Sequence, residues 1–465
     1  LYLNFILNYN KDMDENFNHI FDKRKENKVE REVVDVVIVG AGPAGIAAAI
    51  TLARSGKEVV VLERGDYPGS KNVFGGAIYA KPTAEIFPEF WKSAPVERYN
   101  TEHRFALLGD NDGTVVGYKN GGHAEEGHYN SFSVIRAKWD RWCAEQAEKA
   151  GAFIVPQTVV TELIIENDKV VGVKTEQEEF YAKIVIVADG VNSLLAKEAG
   201  FHSELKPESV ALGVKEVIKL SKEKIQDRFN LEGDSGVIYT IIGGPVQNML
   251  GLGFIYTNMD SVVVGLGVSL SELQQKTVKP YELLNQLKQH PSVRPLIAGG
   301  ELLEYSAHLI PEGGYNAIPP LYKDGVMVVG DAAMLVNNIH WEGTNLAMMS
   351  GKFAAETAVE ALEKDDFSAN SLSLYQKKLE ESYVMKDLKS YKDVMHFAEK
   401  NSNAFMGFYP KKVNEFFNQF ISVDGIPKKE KYRSFIGNTF KERSIPKMIG
   451  DFMKFAKVGG GVLLK

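Results

Sequence analysis

Residues 33–64 read VVDVVIVGAGPAGIAAAITLARSGKEVVVLER, and this stretch decides the fold. Val33–Gly40 is a short, β-branched apolar run, the pattern of a buried parallel strand. Ala41–Gly56 is rich in Ala and Leu, and Gly56 stands where a helix would stop. Lys57–Arg64 is a second buried strand ending in an acid, Glu63, with Arg64 beside it. Gly40, Gly42 and Gly45 therefore form G-x-G-x-x-G at a strand-to-helix turn, with Pro43 and Ala44 inside it. The first glycine permits the tight turn, the second lets a pyrophosphate approach the backbone, and the third lets helix and strand pack closely. Free N–H groups and the positive end of the helix dipole suit phosphates. Glu63, eighteen residues after Gly45, is placed to accept hydrogen bonds from ribose hydroxyls. The pattern predicts an α/β chain built on a Rossmann-type dinucleotide domain.

The chain has 465 residues, enough for two or three domains. At 44% hydrophobic and 25% charged it reads as globular. A net charge of −7 argues against general nucleic-acid binding. Cys143 is the only cysteine, which excludes an internal disulfide and a cysteine-ligated cluster, and its helical setting suits a small buried hydrophobe. No metal site is expected. No apolar run reaches eighteen residues, so no membrane span is expected. Leu1–Tyr9 is apolar but short, with no basic leader, so no signal peptide is expected either, and residues 10–32 are highly charged.

After Glu63, the glycines and Pro68 of Arg64–Ala80 mark a loop. Over a dinucleotide it lies across the pyrophosphate, where Lys71 and Asn72 can reach phosphate or the redox ring and Gly75–Gly76 allows close backbone approach. His103–Asn120 reads as a hairpin centred on Asp110–Gly113. Ser131–Ala152 is a strand leading into a helix, with Arg136 at the junction. There Arg136 can face the cofactor, cap the helix or sit on the surface. Phe153–Gly190 is a run of short strands ending in Asp189–Gly190, and Ser193 opens the next helix. Residues 206–304 alternate or run apolar with glycine breaks, the texture of an antiparallel sheet that would wall a substrate pocket.

Tyr305 is expected to open the return to the cofactor domain. GVMVVGD is a third buried strand ending in Gly330–Asp331, where an Asp can hold a ribityl hydroxyl. The Ala-rich helix starting at Gly343, Thr344 and Asn345 can aim its N–H groups at the pyrimidine edge of a flavin. His340, in the loop before it, is expected to pack on Trp341. Beyond residue 363 the chain is helical and increasingly basic, with ten Lys/Arg against three Asp/Glu from Pro427 to Lys465. In Lys447–Lys457, apolar positions lie on one side and Lys447, Asp451, Lys454 and Lys457 on the other. That pattern fits an interfacial helix and equally a helix docked on its own domain.

Taken together, the first glycine turn, GSKNVFGGAIYA, VIVADGVNS and EGGYNAIPPLYKDGVMVVGDAAMLVNNIHWEGTNLAMMSG resemble the FixC family, flavoprotein subunits similar to electron-transfer-flavoprotein:quinone oxidoreductase. The resemblance covers roughly residues 33–363, continues weakly to the end, and is most specific from Glu312 to Gly351. It implies FAD and a two-domain, glutathione-reductase-like fold. It further implies electron passage between an electron-transfer flavoprotein or ferredoxin-like partner and a quinone, on the inner face of the cell membrane. Carried over, FAD would rest on Gly40, Gly42, Gly45, Glu63 and Asp331, on the loop Gly69–Gly76, and on the helix start Gly343–Asn345. Related flavoproteins often carry Arg where this chain has Ala196, with Lys197 beside it. The Cys-rich segment of the single-chain quinone reductases is missing, as in subunits that work with a separate ferredoxin-like protein.

These readings divide the chain into an extension (1–32), FAD-binding parts (33–105, 131–205, 305–363), a substrate-domain hairpin (106–130), a substrate or quinone domain (206–304) and a helical basic region (364–465). Three other functions share much of the pattern: a reductase of prenyl-type lipids, an aromatic hydroxylase, and a scaffold that has lost its flavin.

Overall fold

The computed structural model describes residues 31–71, 76–202 and 204–463. Most of the N-terminal extension, Asn72 and Gly75 lie outside the described residues.

The spine of the first sheet runs Tyr322–Lys323, Val326–Val328, Glu179–Val187, Val33–Val39, Val59–Leu62, Phe153–Val155. Val33–Val39 pairs in parallel with Val59–Leu62, which pairs in parallel with Phe153–Val155. Glu179–Val187 and Val326–Val328 are likewise parallel. Val36–Ile38, Ile184–Val187 and Val326–Val328 are fully buried, the reason these strands are unbroken apolar runs. The chain leaves Val33–Val39 toward one side of the sheet, and Glu179–Val187 fills the other. Such a switch point opens a crevice at the carboxyl ends of the strands. The helices Pro43–Arg54 and Thr344–Lys364 meet with backbone against backbone. A Cβ added to Gly351 would stand 2.0 Å from the Ala44 carbonyl oxygen.

The second sheet has nine strands and includes every strand formed by residues 206–304. Three details differ from the expectation. One seam is parallel: Ser235–Gly243 runs alongside Val96–Leu108. Tyr305 does not open a return to the first sheet, because it sits mid-strand in Glu301–Pro311, paired with Glu216. The strand Ser131–Val134 also belongs to this sheet, between Val96–Leu108 and Ala77–Tyr79. Leu283, Leu284 and Leu287 of helix Pro280–Gln289 are buried in the apolar core on its outer side.

From Ala369 onward the described chain is helical. Helix Tyr409–Ile421 is fastened to the hairpin Val96–Leu108/Gly113–Lys119. Asn414 donates to the Leu107 carbonyl and accepts from the Thr114 hydroxyl. In the last helix, Ile445–Leu463, Asp451 is buried, against the expectation that it shares the solvated face with the lysines. It accepts from Tyr409 and Arg443, and Ile449, Phe452 and Met453 are left exposed. No helix among the described residues is long and apolar enough to cross a membrane.

Candidate functional site

A cavity of about 1080 Å³ receives residues from both sheets and from the helical region. Single small-molecule pockets run to roughly 300–1,000 Å³, so this one has room for an extended ligand. At one end stand Gly40, Gly42, Pro43 and Ala44 of the glycine turn, with Glu63, Arg64 and Lys71. Pro43 occupies the first helical turn, where its missing N–H costs nothing, and no side chain caps the helix. Gly45 lies behind the cavity wall. A Cβ there would stand 1.9 Å from the Gly40 carbonyl oxygen, so only glycine lets helix and strand meet.

The Glu63 carboxylate accepts the Ala41 N–H at 2.8 Å and the Gly65 N–H at 2.7 Å, one on each oxygen. Each oxygen keeps one lone-pair site for a further donor. The loop after it is clamped: Arg141 lies over the Tyr67 ring at 4.1 Å, and Gly69 packs on Asp140 where a Cβ would come within 2.7 Å.

Arg136 neither caps its helix nor lies on the surface. It is the first residue of helix Arg136–Lys149, buried, and clamps Asp140 one turn on through two 2.9 Å bonds. Burial opposes its charge, but Asp140 and Asp331 hold the guanidinium above its ordinary range. Asp331, at the end of the late strand, faces the same cavity. Burial pushes its carboxyl up to about 6, with Arg136 pulling the other way. Gly330 stays behind the wall and donates its N–H to the Ser350 hydroxyl at 2.9 Å.

Asp189 and Gly190 line the opposite side. Asp189 accepts the Leu195 N–H at 3.3 Å, and burial raises its pKa. At the position where related flavoproteins place Arg, Ala196 is fully buried and Lys197 turns out to Glu204. Gly343, Thr344 and Asn345 complete the ring at a second helix start without a side-chain cap. Asn345 donates to Glu342 at 2.9 Å, but its buried carbonyl oxygen has no partner among the described residues. Gly76 stands off the cavity against Tyr256, whose ring would lie 3.2 Å from an added Cβ.

Several lining residues were not singled out from sequence. Ile238, Leu252, Phe254 and Tyr256 of the second sheet form an apolar wall. Met395 and His396 of helix Val394–Lys400 close another side. Glu312 and His308 face in from the end of Glu301–Pro311. Trp341 guards the rim with a positive φ of 57°, stacked on His103, which stacks on Phe105. His340 does not pack on Trp341 as expected; its ring meets Tyr391, with Nε2 2.7 Å from the hydroxyl. The alternation of the strand Gly251–Thr257 could have given the apolar wall, but no local signal marks Trp341 or Glu312.

Comparison with known proteins fits this geometry. An FAD-binding-domain model matches residues 33–243, an ETF-QO ubiquinone-binding model matches 210–310, and the C-terminal domain model of the ETF-QO/FixC family matches 394–459. Protein FixC of Bradyrhizobium diazoefficiens is 44% identical over 92% of this chain and 99% of its own. The chain belongs to the ETF-QO/FixC family. A second relative, the probable electron transfer flavoprotein-quinone oxidoreductase YdiS of Escherichia coli, is 40% identical over 88% of this chain and 95% of its own. A geranylgeranyl bacteriochlorophyll reductase-like structure from Thermoplasma acidophilum shares the fold, with a TM-score of 0.68 at 22% identity over 89% of this chain and 98% of that one. The flavin-dependent brominase Bmp2 shares it at 0.61 and 16%, over 89% and 100%.

Like other members of the ETF-QO/FixC family, this chain is an FAD-dependent oxidoreductase, and its electron transfer involves a quinone. The residues fit FAD: two uncapped helix starts, a ribose-type acid with spare lone pairs, and an unpartnered buried amide oxygen all meet in one cavity. FAD supplies the redox chemistry when bound; the chain's groups bind it, orient it and exclude water.

Proposed function

We propose that the chain is the FAD subunit of an electron-transfer complex, passing electrons between an electron-transfer flavoprotein or ferredoxin-like partner and a membrane quinone. The observation that carries this reading is the continuity of the cavity. It runs from the glycine turn past Arg136, Asp331 and Thr344 to the apolar wall Ile238, Leu252, Phe254 and Tyr256, inside the segment matched by the ubiquinone-binding model. A quinone head group reaching that wall shares one enclosure with the flavin. The partner follows from relatives such as YdiS, whose name joins an electron transfer flavoprotein to a quinone.

In this reading Gly40, Gly42, Pro43 and Ala44 take the pyrophosphate and Glu63 the ribose. Arg64 and Lys71 add positive charge, Asp189 and Gly190 bound the far side, and Asp331 takes the ribityl chain, with Arg136 setting its charge. Thr344 and Asn345 present backbone N–H groups to the flavin ring, where negative charge develops on reduction.

A quinone lives in the bilayer, so the protein must touch the surface. Twelve exposed large apolar side chains fall between Phe416 and Met453, among them Phe420, Ile421 and Val423. Basic residues such as Lys428, Lys429, Arg433, Lys447 and Lys454 accompany them. This combination suits peripheral contact with an anionic leaflet on the cytoplasmic side.

A photoreactive short-chain quinone tests the reading. Irradiation should label peptides covering Ile238–Tyr256. Labelling confined to the outer surface, and not displaced by excess quinone, would contradict it.

A further inference from the structure

Glu312 stands where the chain leaves the second sheet. It follows strand Glu301–Pro311 directly, and its N–H donates to the Ser209 carbonyl at 2.8 Å. Gly313 packs so tightly that a Cβ there would come within 2.2 Å of the Ala317 methyl. The backbone is thus fixed on both sides of Glu312. The period-two alternation of the strand puts His308, Ile310 and Glu312 on one face, and all three line the cavity. On the other side, Gly314 abuts Met395, and Asn316 donates to the Lys392 carbonyl at 3.1 Å. Glu312 therefore sits between the flavin end of the cavity and the helix Val394–Lys400.

Its carboxyl has no hydrogen-bond or ion-pair partner among the described residues. A partly buried carboxylate without a partner is costly, and such a group takes a proton instead. Burial alone pushes this carboxyl up to about 8. The other groups facing the cavity are differently placed. Burial, then Arg136 and Arg64, lower the His308 pKa, so its imidazole is neutral at pH 7. Arg136 is bound to Asp140, and Asp331 faces Arg136. Burial and Glu342 push the Tyr79 hydroxyl up to about 12. Glu208 lies beside Ser209, and helix Val394–Lys400 with its preceding turn brings Lys392, Asp393, His396 and Glu399 to the same cavity.

We propose that Glu312 is the general acid that protonates the quinone during its reduction. The assignment rests on the quinone reading above. Reduction of a quinone to a hydroquinone adds two electrons and two protons. The electron pair comes from the reduced flavin. The Glu312 O–H bond breaks as an O–H bond forms on one quinone carbonyl oxygen. The second oxygen takes its proton from solvent, solvent reprotonates the Glu312 carboxylate, and the proton that the anionic reduced flavin gives up on reoxidation passes to solvent, so that one proton is taken up net.

Glu312→Gln keeps the shape and removes the acid. Chemically reduced protein is mixed anaerobically with a water-soluble short-chain quinone, and separately with ferricyanide, which takes an electron and no proton. Loss of a general acid costs roughly 10²-fold or more, so the quinone-to-ferricyanide rate ratio should fall about 100-fold at pH 7. In the unaltered protein this ratio should decline as pH rises through about 8, and the variant should lose that decline. Infrared titration gives a readout independent of turnover: a protonated-carboxyl C=O band should vanish near that pH and be absent from the variant. An unchanged ratio and pH profile in the variant, with the unaltered protein reducing quinone, would overturn the assignment alone. Failure of the unaltered protein to reduce quinone, with ferricyanide reduction intact, would overturn the quinone reading and the assignment with it.

Discussion

Asp451 accepts a hydrogen bond from the Tyr409 hydroxyl at 2.8 Å and is bridged to Arg443. This buried acid rolls the last described helix so that Phe452 and Met453 face outward, 71% and 64% exposed. Exposed apolar side chains on a docked helix suit a face that meets another surface, as proposed above. Burying one large apolar side chain contributes about 1.5–3 kcal/mol, and each nearby Lys or Arg adds about 1 kcal/mol on an anionic leaflet.

Phe452→Glu combined with Ile449→Glu should therefore lower co-sedimentation with anionic vesicles about tenfold or more, with flavin content retained. Added salt should weaken binding of the unaltered protein. Equal vesicle binding by the two proteins would mean that this face meets a partner subunit.

In the proposed placement of the cofactor, Gly42→Val puts a branched side chain where the pyrophosphate approaches the backbone, and should yield protein with little flavin. Glu63→Gln removes an acceptor that already holds the Ala41 and Gly65 N–H groups, so it should loosen both the turn and the ribose contact. Flavin absorbance per mole of protein checks both, and full occupancy in both variants would displace the cofactor from this turn.

The sequence carries a single dinucleotide fingerprint, at Gly40–Gly45. NADH or NADPH alone should therefore bleach the flavin slowly. Stopped-flow absorbance in the absence of any partner protein measures it. Rapid bleaching would favour the hydroxylase or prenyl-reductase reading.

Glu312 also makes a stability prediction. Its carboxyl is raised in the fold from 4.5 to about 8, so the native state holds a proton that the unfolded chain releases. That contribution is complete below the unfolded value and is lost as pH rises through about 8. The melting temperature of Glu312→Gln relative to the unaltered protein should thus rise between pH 4.5 and 8. A constant difference across that window would mean that the side chain is ionised and solvated.

Local chemistry makes the first sheet legible: the glycine turn, the β-branched runs and the acids at their ends need no distant partner to be read. The second sheet is legible as strands but not as pairings. Alternation fixes which face is buried, while the parallel seam between Ser235–Gly243 and Val96–Leu108 depends on contacts more than a hundred residues apart. The same limit hides Glu312, an ordinary acid in sequence whose importance comes from what fails to surround it. The role of Arg136 stays open in the sequence for a related reason. Its partner Asp140 is one turn away and visible, but the burial of the pair depends on the loop at Gly69 closing over it.

Anaerobic titration of the reduced flavoprotein with a short-chain quinone tests the central claim most directly. Flavin absorbance should return in proportion to added quinone, reaching completion near one quinone per flavin, and substitution of Phe254 by Asp in the apolar wall should slow that return. Reduced flavin that persists in excess quinone, yet reoxidises at once with ferricyanide, would contradict quinone reduction in this cavity.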